Sequence, residues 1–293
     1  MTPPALLVTG ATGLLGRALA AQHTVVPLPR RAPAGGGPWW DPLGGSVHDD
    51  GRPLGAVVHL AGENVGEGRW SEARKAAIRD SRVTGTRTLV DWLRGRAQRP
   101  EVFIAASAIG FYGDRGESEL DEDAGPGTGF LADTCRAWEA EADRAAEAGI
   151  RVVKLRIGIV LDPAGGALGK MLPLFRAGLG GPLGSGRQWF PWVHRDDVLG
   201  LIAHALRSPA VRGPLNAVAP GAVRQGDFAR ALGAALHRPA FLPAPAFALR
   251  AALGEFAQEG LLASARVVPA RAAATGYTFR FPTLGPALSQ LLG

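Results

Sequence analysis

The chain has 293 residues, 46% hydrophobic and 20% charged, which suffices for a sizeable core in one large α/β domain or a larger domain with a small appendage. No apolar run approaches the roughly 18–20 residues that cross a bilayer, and the start MTPPALLVTGATG lacks the basic-then-apolar pattern of a secretory signal. The single cysteine, Cys135, excludes an internal disulfide and points to a cytoplasmic protein. The net charge of +6 comes from scattered arginines, with only Lys75, Lys154 and Lys170 as lysines, so neither a nucleic-acid nor a membrane partner is expected.

In chain order, ALLVTG (5–10) is a short apolar run ending in glycine, the pattern of a buried parallel strand. ATGLLGRALAAQ follows with helical periodicity, and TVVPLP (24–29) reads as a second strand. AVVHLAG (56–62) is a third strand ending in a glycine turn, followed by a long amphipathic helix over 70–95. VFIAASAIG (102–110) is another strand; a Gly-, Asp- and Glu-rich loop and a helix over 137–149 with a glycine cap come next, then a single strand over 150–161. Strand and helix alternating at this spacing predict an α/β, Rossmann-like, doubly wound parallel sheet. From about Asp162 the texture changes to Gly- and Pro-rich loops interleaved with Trp, Phe and His. The expected organisation is therefore a nucleotide-binding domain over 1–161 and a mixed region over 162–293. That region completes the sheet and caps a substrate, with a small segment at about 255–293.

TGATGLLG places Gly10, Gly13 and Gly16 in the turn between the first strand and first helix, with Thr12, Leu14 and Leu15 among them. Glycines here let the backbone approach a pyrophosphate, and the helix start offers free N–H donors and the positive end of its dipole. The second strand runs into PLPRRAP, with Arg30 and Arg31 and no acid before Asp41. A carboxylate there suits a free ribose 2′-hydroxyl and arginine suits a 2′-phosphate, so NADP(H) is expected in preference to NAD(H).

Five stretches carry a wider resemblance: LVTGATGLLG; HLAGENV with RWSEARKAAIRDSRVTGT; SAIGFYGDRG; FLADTCRAWEAEA; and RIGIVLDPAGGALGKMLPLFRAGLGGPLGSGRQWFPWVHRDD. Together they resemble the extended short-chain dehydrogenase/reductase superfamily, the fold of nucleotide-sugar epimerases and dehydratases. More narrowly, they resemble its branch of epimerase family proteins of undefined substrate, with a DUF1731-like C-terminal segment. The resemblance implies an extended Rossmann-like fold with a C-terminal substrate-capping portion. It puts Gly10, Gly13 and Gly16 at the pyrophosphate, Arg30 at the 2′-phosphate, and Leu60 and Ala61 on the adenine-ribose side, with Gly62 also among the cofactor-binding residues. It points Arg82 into the cofactor cleft, sets Val160 near the nicotinamide, and has Ser107 facing the nicotinamide.

Redox members of that superfamily use a Tyr-x-x-x-Lys pair, which this chain cannot contain: four residues beyond its two tyrosines, Tyr112 and Tyr277, stand Gly116 and Phe281. Where the pair belongs the chain reads FLADTCRAWE. Ser107 and Tyr112 are the catalytic candidates, with Arg136 and Cys135 considered as replacements for the missing groups. Glu63, Asn64, Arg187, Gln188, Trp189 and His194 are expected to line the substrate, His194 with a structural hydrogen bond to Asp196 or Asp197 as its other reading. No G-x-S-x-G elbow, cysteine cluster or His-x-x-x-His pair occurs, so no metal is expected, and His59 reads as a satisfied core residue. Two functions stand: an NADP(H)-dependent epimerase or oxidoreductase acting on a phosphorylated or nucleotide-linked small molecule, and an NADP(H)-binding sensor or scaffold. The assembly is expected to be a monomer or homodimer.

Overall fold

The computed structural model describes residues 5–293. In chain order it forms β1 (Ala5–Thr9), α1 (Leu14–Gln22), β2 (Val25–Leu28), a hairpin of β3 (Trp39–Asp41) and β4 (Ser46–His48), β5 (Leu54–His59), α2 (Glu72–Gly95) and β6 (Val102–Ala108). A 3₁₀ turn over Ile109–Tyr112 leads to β7 (Glu119–Leu120), α3 (Phe130–Asp143), β8 (Arg151–Ile157), β9 (Ile159–Leu161) and α4 (Gly166–Arg176). The rest comprises β10 (Trp189–Phe190), β11 (Trp192–His194), α5 (Arg195–Arg207), β12 (Gly213–Ala217), β13 (Val223–Arg224), α6 (Gln225–Ala235), α7 (Ala246–Leu253), a π-helical turn over Ala257–Leu262, β14 (Arg266–Val267), α8 (Ala270–Ala274) and α9 (Leu284–Leu292).

Six strands in the order β2-β1-β5-β6-β8-β12 make one parallel sheet. Their β-branched and leucine-rich runs are buried on both faces, because α1 and α5 cover one side through Leu19, Val198 and Ile202 and α2 and α3 cover the other through Leu89, Val90 and Ala142. The chain leaves β1 for β2 on one side and reaches β5 on the other, so the carboxyl ends of β1 and β5 flank the point where strand order reverses. A crevice opens outside the sheet at such a point.

Local chemistry sets the ends of the elements. Ser71 caps α2 by accepting the Arg74 N–H, with Glu72 in the first turn and Arg94 in the last, complementing the helix dipole. Two sequence expectations are corrected and one element is added. The strand expected over 150–161 is two strands, because a side chain at Gly158 would stand 2.4 Å from the Pro191 carbonyl oxygen and the chain bends there to let β9 pair with β11. The helix expected from Ala137 begins at Phe130: Glu259, from the π-helical turn, accepts the Phe130 and Leu131 N–H groups at 2.9 and 2.8 Å and caps α3 across 129 residues of chain. The β3–β4 hairpin was not foreseen; Trp40 is buried beneath it while Trp39 stacks on His48.

Candidate cofactor and substrate cleft

The turn after β1 is built around contacts that only glycine allows. Gly10 has φ 69°, and a Cβ there would sit 2.8 Å from the backbone of Leu60 and Ala61. A Cβ on Gly16 would lie 2.1 Å from the Gly10 carbonyl oxygen, so α1 approaches the turn as closely as backbone can. Gly13 donates to that same oxygen at 3.0 Å and opens α1 without any side-chain cap, leaving the first-turn N–H groups of Leu14, Leu15 and Gly16 to an outside acceptor. The exposed Thr12 gives its carbonyl to Arg17 at 2.6 Å, which braces the turn from outside.

A buried polar chain locks this turn to the one after β5. Ala61 donates its N–H to the Thr9 hydroxyl, which is bonded at 2.6 Å to His59 Nδ1, and His59 Nε2 is bonded at 3.0 Å to the Thr86 hydroxyl of α2. Burial, aided by the positive charge of Arg82, lowers the His59 pKa to about 3, so the ring is neutral. The depressed pKa means that the unfolded chain takes up a proton below its ordinary 6.5 while the folded chain does not. The stabilisation is therefore complete above that value and is lost as pH falls towards 3. His59→Gln is expected to flatten the stability loss between pH 6.5 and 4 by on the order of 1 kcal/mol per pH unit relative to the parent, read as urea midpoints across that range. Parallel slopes would rule His59 out as the titrating group.

Around the turns, the structure gathers most of the cofactor set from the sequence. Arg30 and Arg31 follow β2, exposed and without an ion pair among the described residues. Arg82 leaves α2, donates Nη1–H to the Ile78 carbonyl at 3.0 Å, lies over the Trp138 ring at 5.2 Å, and stands 3.3 Å from where a Cβ on Gly62 would be. It has no carboxylate partner among the described residues, and burial pulls its pKa down, the condition of a cation that lacks an anion. Leu14 packs against Gly165 and Gly166 at the start of α4, beside the Val160 carbonyl. Gly10–Gly16, Leu60–Gly62, Arg82 and Val160 thus meet at the carboxyl end of the sheet.

The catalytic candidates are corrected. Ser107 is buried and donates its hydroxyl hydrogen to Glu139 Oε1 at 2.7 Å. Glu139 in turn holds Arg156 through two bonds of 2.8 and 2.9 Å. Arg156 stacks on Phe111 with its guanidinium 3.6 Å from the ring centre and donates to the Tyr112 hydroxyl at 2.9 Å. Tyr112 is fully buried, its hydroxyl within reach of the Asn216 side-chain oxygen at 2.8 Å and the Asp121 carbonyl at 2.9 Å, and burial raises its pKa. Both groups are buried, and each hydroxyl is hydrogen-bonded within this network. The replacements fare no better: burial pushes the Cys135 thiol up to about 12, and Arg136 is exposed and paired with Asp133 at 3.0 Å. Sequence reasoning missed Glu139, Arg156 and Asn216; Arg156 shares β8 with Arg151 and Lys154, so nothing in the sequence singled it out as the buried one.

The expected substrate wall divides. Glu63 accepts from Arg74 at 3.0 Å, and Asn64 folds its own loop by accepting the Gly66 N–H and donating to Glu67, so both sit on the loop beyond β5. Lys170 of α4 reaches across to the Gly66 carbonyl at 2.8 Å. Gln188 and His194 are corrected as substrate-lining residues, because both are buried. Gln188 donates to the Leu183 and Leu261 carbonyls, while His194 Nδ1 accepts the Asp196 N–H, capping α5, and its Nε2 is bonded to Gln290 at 2.9 Å. Trp189 lies between the Arg224 and Arg266 guanidinium groups and donates to Glu117 at 3.1 Å, which ties down the 113–119 loop. Arg187 is exposed, and its carbonyl accepts from Arg224.

The NAD dependent epimerase/dehydratase family model matches residues 46–217, and the model for a domain of unknown function, DUF1731, matches 244–291. The chain is 41% identical to epimerase family protein Mb2239 of Mycobacterium bovis, over 98% of this chain and 97% of the relative. A crystal structure of human epimerase family protein SDR39U1 (isoform 2) with NADPH is similar at a TM-score of 0.88 and 36% identity, over 98% of this chain and 99% of that one. The nucleoside-diphosphate sugar epimerase from Corynebacterium glutamicum is similar at 0.79 and 35%, over 100% of this chain and 59% of that one. The glycine turn, the six-stranded parallel sheet and these likenesses along nearly the whole length agree: the chain belongs to the NAD dependent epimerase/dehydratase family, of the extended short-chain dehydrogenase/reductase type.

Proposed function

We propose that the protein binds NADP(H) across the β1 and β5 turns and catalyses hydride transfer to or from a phosphorylated or nucleotide-linked small molecule, as an epimerase or oxidoreductase. The observation that carries this is the uncapped start of α1 beside backbone that leaves no room for a Cβ at Gly10 or Gly16, with two unpaired arginines beyond β2. The residues fit the cofactor. The Leu14–Gly16 N–H groups would take the pyrophosphate, Arg30 and Arg31 the 2′-phosphate, and Arg82 an oxygen farther along the cleft. The bound nicotinamide would supply the hydride donor or acceptor. The chain's own part is orientation and electrostatics, since Tyr112 and Ser107 hold their protons inside the buried network.

That sequestration favours a second reading, an NADP(H)-binding sensor or scaffold without turnover. NADPH deuterated at nicotinamide C4, incubated with the protein and a desalted metabolite extract, separates the two by mass spectrometry. Label entering a metabolite supports hydride transfer; tight binding without label movement supports the sensor. Arg30→Ala is expected to weaken NADPH by roughly tenfold or more and NADH little, as loss of a charge-assisted contact to the 2′-phosphate predicts. Equal losses for the two cofactors would sink the assignment to that phosphate.

A further inference from the structure

Of the large apolar side chains exposed among the described residues, all but Leu43 fall on two stretches of chain: Leu174 and Leu179 at the end of α4, and Phe241, Leu242 and Phe247 leading into α7. The stretches run side by side, with Leu242 donating to the Gly180 carbonyl at 3.1 Å, Ala244 to that of Pro182 at 2.9 Å, and Gly184 to that of Ala244 at 2.8 Å. Phe241 and Phe247 are 70% and 75% exposed, Leu174 and Leu179 57% and 58%. Helix α7, AFALRAAL, has no buried residue although all but one of its side chains are apolar. It rests at one end on Gly184, through Ala246, and at the other on Arg69, which donates to the Ala251 carbonyl at 2.9 Å. A helix of this composition exposed on a protein surface marks a contact face.

The charge along these stretches is mainly positive; Glu255, just beyond α7, is paired with Lys75 at 3.0 Å. From Pro163 to Gly254 the only acids are Asp196, Asp197 and Asp227. Asp197 is buried against Tyr277, Arg280 and Phe281, Asp196 pairs with Arg195 and Arg280, and Asp227 pairs with Arg230. Arg176, Arg238 and Arg250 have no carboxylate partner among the described residues; Arg238 donates to the Arg176 carbonyl and Arg250 to Gln258. A shallow cavity of about 380 Å³ beside Phe241 is lined by Pro182, Gly226, Arg230, Arg238 and Ala240 as well.

We propose that this face, with Phe241 and Phe247 as its apolar anchors and Arg176, Arg238 and Arg250 as its cations, docks on an acidic phospholipid surface. Phenyl and leucyl groups enter the headgroup–acyl boundary while guanidinium groups meet phosphate. A second copy is the poorer occupant, because a two-fold contact sets the unpaired arginines against one another. The Leu174–Leu179 end lies away from the cofactor cleft, while α7 touches Arg69 of the loop that follows β5. The amino end of α4 abuts Leu14, and its 11 residues carry the chain roughly 16 Å away before Leu179. Lying on a bilayer is also distinct from crossing one: no helix among the described residues is long and apolar enough to span.

Sedimentation of the full chain with vesicles tests this. Vesicles of equal phosphatidylglycerol and phosphatidylcholine should pellet the protein at about 0.1 M salt, pure phosphatidylcholine at least about fivefold less, and raised salt should release it. The Phe241→Ser/Phe247→Ser variant should bind about tenfold or more weakly, as should Arg176→Gln/Arg238→Gln, each with an unchanged melting curve. Absence of binding to acidic vesicles, equal binding by the variants, or indifference to lipid charge overturns the proposal. So does failure to bind lipid together with self-association that the phenylalanine changes abolish, which would give the face to a second copy.

Discussion

Arg156→Ala should cost about 3–5 kcal/mol of folding free energy and lower the melting temperature by roughly 10 °C, because it leaves Glu139 charged and buried without its main partner. Arg156 stands near the carboxyl end of β8, one strand in from the sheet's edge, and ties α3 through Glu139, the 3₁₀ turn through Tyr112, and Phe111 through its face. Burial opposes its charge, but the paired carboxylate outweighs this and holds its pKa above the ordinary arginine value. Lys154 remains 3.6 Å from Glu139 after the change, too far to replace two guanidinium bonds. Removing both charges together, as Glu139→Gln with Arg156→Met, should recover most of the loss, since a buried pair offsets little more than its own desolvation. Denaturant unfolding of the two single variants and the double closes the cycle. A single-variant cost under about 1 kcal/mol would show that water reaches the network.

Gly16→Ala should weaken NADPH binding more than tenfold, whereas Gly13→Ala should have a much smaller effect on packing. A methyl on Gly16 meets the Gly10 oxygen at 2.1 Å and the Ala11 Cα at 2.6 Å, so α1 must shift away from the turn and take the uncapped N–H groups with it. The same methyl on Gly13 comes no nearer than 3.2 Å to that oxygen, a contact that small adjustments relieve. Displacement of α1 is also expected to destabilise the fold by roughly 1–3 kcal/mol. Fluorescence titration with NADPH and thermal melts of each variant check both effects. If Gly16→Ala binds like the parent, the pyrophosphate does not sit at the start of α1.

The parts of the site that were legible in the sequence are the local ones. A glycine triplet between an apolar strand and a periodic helix specifies its turn within eight residues, because φ, capping and helix approach are set by neighbours in the chain. Arg30 and Arg31 were visible for the same reason: they stand immediately past β2, and nothing else in the fold had to be known to put them there. The loop GLGGPLGSGRQWFPWVHRDD misled because its aromatic and polar residues looked free. In the structure they are occupied by partners far away in sequence, His194 by Gln290, Gln188 by Leu261 and Trp189 by Glu117.

The sequence by itself determined the α/β class, the doubly wound parallel sheet, the glycine turn between β1 and α1 and the impossibility of a Tyr-x-x-x-Lys pair. All of these follow from periodicity, turn chemistry or the mere absence of a residue. Only the tertiary structure decided where Ser107 and Tyr112 direct their protons. Their partners Glu139 and Asn216 lie 32 and 104 residues away, brought close by strand pairing and by α3 crossing the sheet. A buried hydroxyl takes whatever acceptor the fold delivers to it, and no local pattern specifies which one that is.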